Sequence, residues 1–145
     1  TPSSSSAASD VYKRQVLQSV DKGFLQKVNI KKESIMGGMS CGEVSLVPWK
    51  ILKNSVNLCT SISDKNVAKT IAMLKNNYFC EKNIIGGECA TPGIISLISV
   101  CENQDLKNNI SLDENSNVLV IGCEGDADEI LYKKLLDDGK KELGI

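Results

Sequence analysis

The chain has 145 residues, 17 basic and 18 acidic side chains for a net charge of −1, and 41% apolar residues. That size points to a single domain, and the composition is that of an ordinary globular protein. The balanced charge argues against a surface that binds nucleic acid or an anionic membrane, which needs clustered excess Lys and Arg, and no apolar run nears the ~20 residues of a membrane-crossing helix.

The first fifteen residues are polar and serine-rich, with no hydrophobic segment of the signal-peptide kind. Residues 5–15, SSAASDVYKRQ, resemble the in-frame translation of a sequencing-library adapter. Residues 1–15 are therefore set apart as an artefactual, disordered tail. The body is residues 16–145, and its reading frame is expected to continue upstream.

In the body, 16–20 reads as the end of a helix and 24–30 as a weakly alternating strand. A small-residue stretch, Gly37-Gly38-Met39-Ser40-Cys41-Gly42-Glu43, follows. Trp49, Leu52 and Val56 stand at i, i+3 and i+7, one face of a helix, with Pro48 in its first turn. Ser63 or Asp64 suits the N-cap of a second helix, whose face is Val67, Ile71 and Leu74 and whose end is marked by Asn76-Asn77. Ile84-Ile85 reads as a short strand stopping at Gly86-Gly87-Glu88. Thr91-Pro92 suits N-cap and N1 of a third helix over 93–100, apolar nearly all round and so predicted to be buried. Residues 113–117 form a turn cluster. Residues 118–121 are wholly apolar, as expected of a central strand covered on both faces. A last helix carries Ile130, Leu131, Leu135 and Leu136, with Asp138-Gly139 as its stop. Helices alternating with short apolar strands predict an α/β architecture. Three or four strands are too few to enclose a fully apolar central one, so the sheet is expected to be incomplete.

Histidine is absent, which rules out a Ser-His-Asp triad or a Cys-His dyad within the chain. The six cysteines, at 41, 59, 80, 89, 101 and 123, show no CxxC pair, which argues against structural zinc. They read as free, buried thiols of a reducing, cytoplasmic compartment.

Two places share one design, an apolar run, small residues and a helix start: Ile85-Gly86-Gly87-Glu88 and Ile121-Gly122-Cys123-Glu124-Gly125-Asp126. Such strand ends are where open α/β sheets bind ligands. Glycine there admits a close ligand, and the next helix offers free N–H groups. On the residues alone, the glycines could equally just turn the chain.

Taken in order, Ile35-Met36-Gly37-Gly38-Met39-Ser40-Cys41-Gly42-Glu43, then Val47-Pro48-Trp49, then Ile84-Ile85-Gly86-Gly87-Glu88, then Leu112-Asp113-Glu114-Asn115-Ser116 leading to Glu124-Gly125-Asp126-Ala127-Asp128, resemble diaminopropionate ammonia-lyase. The resemblance runs over roughly 16–140. It implies the C-terminal part of a fold-type II, tryptophan-synthase-β-like catalytic domain, with an incomplete central sheet flanked by helices. It implies pyridoxal 5′-phosphate as cofactor, 2,3-diaminopropionate as amino-acid substrate, and a homodimer. The Schiff-base lysine, catalytic aspartates and phosphate loop of the family lie upstream, so no catalytic residue is assigned here. The resemblance places Cys123 opposite the pyridine nitrogen, with Gly87, Glu88, Gly122 and Glu124 around the cofactor and Cys41 and Glu43 at the substrate entrance. Asp126 and Asp128 are expected to stabilise the last helix N-terminus. Gly86 and Cys89 stand where the family usually has serine, and Val44 where it often has proline. Two other readings stay open: a serine or threonine dehydratase-like enzyme, and a non-catalytic α/β module.

Overall fold

The computed structural model describes residues 7–11, 15–29 and 33–145. Its elements are β1 (Ala7–Val11), α1 (Gln15–Lys22), α2 (Leu46–Ser55), β2 (Leu58–Ile62), α3 (Val67–Lys75), α4 (Pro92–Cys101), α5 (Gln104–Asn109) and α6 (Glu129–Leu143). Short 3-10 turns occupy Gly37–Met39, Asp64–Asn66 and Glu88–Ala90.

The core is built by α3 and α6, which pack along their lengths. Val67 and Ile71 of α3 are completely buried, with Ala68 and α6 residue Leu135 against them. Burying Ile71 contributes on the order of 2 kcal/mol. Met36, Ile62, Cys89 and Ile95 complete this cluster. Residue Gly139 lies inside α6 and ends nothing, contrary to its expected role as a stop. A Cβ there would meet the Ala68 carbonyl oxygen at 2.0 Å. The glycine is needed for close approach, and the helix stops at Gly144, whose φ of 73° is the left-handed C-cap conformation.

Other elements differ from expectation for equally local reasons. The Asp64 carboxylate caps no helix: it accepts from Ser34 Oγ at 2.5 Å and from the Ile35 N–H at 3.2 Å, tying the 34–39 segment to the start of α3. Helix α4 begins at Pro92 after Thr91, but Thr91 Oγ1 donates to the Glu88 carbonyl at 2.8 Å, so its hydroxyl stabilises the preceding turn. Helix α4 is only half-buried, with Pro92, Ile95, Ser96 and Val100 inside. Asp128 does cap α6, accepting from the Leu131 N–H at 2.9 Å.

The sheet is the largest departure. Among the described residues it has two parallel strands, β1 and β2, in register from Ala7 opposite Leu58 to Val11 opposite Ile62. The anticipated strands at 84–85 and 118–121 carry no ladder, and 24–29 forms only a bridge at Lys27, opposite Glu43. Leu119 is 86% and Ile121 78% exposed, so 118–121 is not covered on both faces. An extended apolar run becomes a strand only when a neighbour supplies partners for its N–H and C=O groups. Five residues of the segment set apart as a tail form β1; residues 1–6 and 12–14 lie outside the described residues, as does Ile30. Parallel pairing uses backbone groups alone, so an open edge on β2 accepts an extended segment whatever its side chains.

Candidate functional site

The three small-residue segments separated in sequence meet at one place. The Gly37–Met39 turn reaches Cys89: a Cβ on Gly38 would stand 3.3 Å from Cys89 Sγ. The Glu88–Ala90 turn lies against the 122–125 loop, with the Gly87 N–H donating to the Glu124 carbonyl at 3.1 Å and the Cys89 N–H to Glu124 Oε2 at 3.0 Å. Gly87 is required at that crossing, because a Cβ would fall 2.2 Å from the Gly125 carbonyl oxygen. At Gly122 the crossing is looser, since a Cβ there would stand 3.3 Å from the Ala90 Cβ.

Beside this junction opens a cleft of about 590 Å³ between α4 and the 118–121 segment. Cys123, Cys89 and Met39 line one end of it, and Thr60 and Ser96, whose hydroxyls lie 2.8 Å apart, line it further along. Aliphatic side chains such as Leu97, Val100 and Val120 make up much of the remaining wall. Gly93 brings α4 close to this wall, since a Cβ there would stand 2.8 Å from Val120. No charged side chain lines the cleft among the described residues.

The thiols differ in state. None of the six forms a disulfide, but only Cys89 is buried; Cys41, Cys80, Cys101 and Cys123 are exposed and Cys59 is intermediate, so the expectation of buried thiols fails for most of them. Burial, then hydrogen bonding to Glu124 and its charge, pushes the Cys89 thiol up to about 12. Glu88, Cys89 and Glu124 place their donor atoms within 4.8 Å of one another. The Cys123 thiol donates to the Cys89 carbonyl at 3.8 Å. Nearby, burial and then the Asp126 carboxylate raise the Tyr132 phenol.

Of the residues singled out in sequence, Gly87, Glu88, Gly122, Cys123 and Glu124 meet at this junction, and of these five Cys123 alone lines the cleft. Cys41 and Glu43 do not: neither lines the cleft, and Glu43 is ion-paired with Lys27, raising that ammonium group. Sequence reading missed Cys89 and Met39 as cleft residues. Their only signal is position within the two glycine-containing segments.

No family model matches the chain. Among curated proteins it is 33% identical over 122 residues to diaminopropionate ammonia-lyase of Escherichia coli, covering 82% of this chain and 31% of the relative. It is 29% identical over 125 residues to the same enzyme of Salmonella typhimurium, covering 83% and 31%. Among solved structures it superposes on the Escherichia coli enzyme in complex with an aminoacrylate-PLP azomethine reaction intermediate, with a TM-score of 0.79, 29% identity, and coverage of 94% of this chain and 35% of that one. The selenomethionine-containing holo form of that enzyme gives a TM-score of 0.78 at 31% identity, covering 94% and 34%. The chain thus spans about a third of the length of the relatives it matches, and its fold is that of part of this fold-type II α/β enzyme.

Proposed function

We propose that the chain is a portion of a diaminopropionate ammonia-lyase, which eliminates ammonia from 2,3-diaminopropionate and yields pyruvate and a second ammonia after hydrolysis. The observation that carries this reading is convergence. Three sequence segments that resemble the family one by one meet at a single cleft end, within the fold of a relative solved with PLP bound.

The cleft residues fit one edge of pyridoxal phosphate. An exposed thiol at Cys123, tethered through its own S–H to a backbone carbonyl, can face a ring nitrogen without a charge. The apolar wall suits a ring, and the absence of a lysine or arginine in the described lining leaves the phosphate to be held elsewhere. When bound, the cofactor supplies an electron sink for the carbanion formed at the substrate Cα. This chain's own part is to wall the ring edge with Cys123, exclude water with the 118–121 side chains, and hold the junction at Gly87, Glu88, Gly122 and Glu124. The lysine, the acid–base aspartates and the phosphate loop belong to the two-thirds of the relatives' length that the chain does not match. The working protein is a homodimer of the cytosol.

The test is to express the uninterrupted reading frame and assay 2,3-diaminopropionate. The expected result is PLP-dependent release of pyruvate with two equivalents of ammonia. Turnover of serine or threonine in preference would sink the substrate assignment. A cofactor complex placing Cys123 away from the ring would sink its assigned role.

A further inference from the structure

Glu124 stands in two of the three bonds that cross between the Glu88–Ala90 turn and the 122–125 loop. Its carbonyl receives the Gly87 N–H, its carboxylate receives the Cys89 N–H, and the Cys89 carbonyl in turn receives the thiol of Cys123, the residue beside Glu124. The packing leaves no slack: Gly87 is buried, and a Cβ on it would also stand 3.1 Å from Glu124 Cγ. Gly38 closes on Cys89 from the third segment. We propose that Glu124 is a positioning residue: it clamps the 86–90 turn to the 122–125 loop and so fixes where Cys123 sits at the cleft end. A carboxylate suits the task because hydrogen bonds to an ionised acceptor are shorter and stronger than neutral ones. The Cys89 thiol lies within 4.8 Å of that carboxylate, beside the N–H that the carboxylate receives. Glu124 needs no contact with substrate or cofactor to act in this way.

The consequence for catalysis rests on the reading of the cleft as the cofactor site; the clamp itself does not. The test therefore uses two readouts on the full-length protein and its Glu124→Gln and Glu124→Ala variants. The first is alkylation by iodoacetamide at pH 8 without cofactor, followed cysteine by cysteine by peptide mass spectrometry. Cys89 should be the slowest thiol in the parent protein. It should react roughly tenfold or more faster in Glu124→Ala, the factor expected when one hydrogen bond to a charged group is lost. Glu124→Gln removes the charge that raises the thiol but retains an acceptor for the Cys89 N–H, so it should be intermediate; equal acceleration in the two variants would reflect lost charge alone and overturn the clamp, and exposed Cys80 and Cys101 should not change. The second readout is PLP affinity by titration. Glu124→Ala should bind the cofactor roughly tenfold more weakly, with partial recovery in Glu124→Gln.

Unchanged Cys89 reactivity in Glu124→Ala overturns the clamp. Faster Cys89 with unchanged PLP affinity overturns the positioning role. Faster Cys89 in a parent protein that binds no PLP upholds the clamp and removes the functional reading instead. If every thiol of Glu124→Ala accelerates together, the variant has unfolded, and amide hydrogen exchange at Cys89 in the isosteric Glu124→Gln decides: faster exchange confined to the 86–90 turn supports the clamp, and none refutes it.

Discussion

Substituting Gly139 by alanine should destabilise the protein, against the usual sign for that exchange in a helix. Alanine is the better helix former by ~1 kcal/mol, so Gly→Ala inside a helix with free space raises stability. Here the new Cβ would stand 2.0 Å from the Ala68 carbonyl oxygen, 2.5 Å from its carbon and 2.9 Å from the Ala72 Cβ, where Cβ contacts under 3.0 Å essentially do not occur. Two of those atoms are backbone of α3 and cannot rotate aside, so the two helices must separate by on the order of 1 Å. Overpacking of that kind costs ~1–3 kcal/mol, and the separation also loosens Leu135 against Val67 and Ile71. After the propensity gain, a net loss of ~1–2 kcal/mol is expected. Urea unfolding of the full-length protein, followed by circular dichroism, should show a midpoint lowered by some tenths of a molar. A midpoint that rises would refute the reasoning, because it would mean that α3 and α6 are not in contact at Gly139.

The remaining expectations concern single groups. Asp128→Ala removes the α6 N-cap and should cost ~1 kcal/mol in the same urea assay, with Asp128→Asn nearly neutral; equal losses would count against capping. The Cys89 thiol titrates at about 12 in the fold against 9.0 ordinarily, so above pH 9 the unfolded chain sheds a proton that the fold retains. The stability linked to this thiol is present below pH 9 and lost as pH rises towards 12. Cys89→Ser should therefore lose less stability than the parent between pH 9 and 11, and parallel declines would contradict the assignment. In the full-length enzyme, Cys123→Thr should keep most of its diaminopropionate turnover and Cys123→Ala should lose roughly tenfold, as for one lost hydrogen bond; an unimpaired Cys123→Ala would place the thiol away from the reaction.

Much of the helical structure was legible because its signals are local. Apolar spacing at Val67, Ile71 and Leu74 located α3, and Thr91-Pro92 located the start of α4, since each reports on a single turn of backbone. The strands were not legible in that way. Residues 118–121 have the composition of a buried central strand, yet ladder bonds depend on what lies alongside, and no sequence window contains its neighbour. The same holds for β1, whose pairing with β2 is made by backbone atoms that carry no residue signature.

The candidate site divides along the same line. Sequence alone determined that three glycine-containing segments exist, that their order resembles one family of lyases, and that these 145 residues contribute no histidine. It could not say which of them touch. Tertiary structure decided that Gly38, Gly87, Cys89 and Glu124 share one junction, that Cys123 faces the cleft, and that Glu43 turns away to Lys27. It also changed Gly139 from a helix stop into a contact point. A glycine has one sequence signal but two physical uses, positive φ and close approach, and only the neighbour across the gap tells them apart.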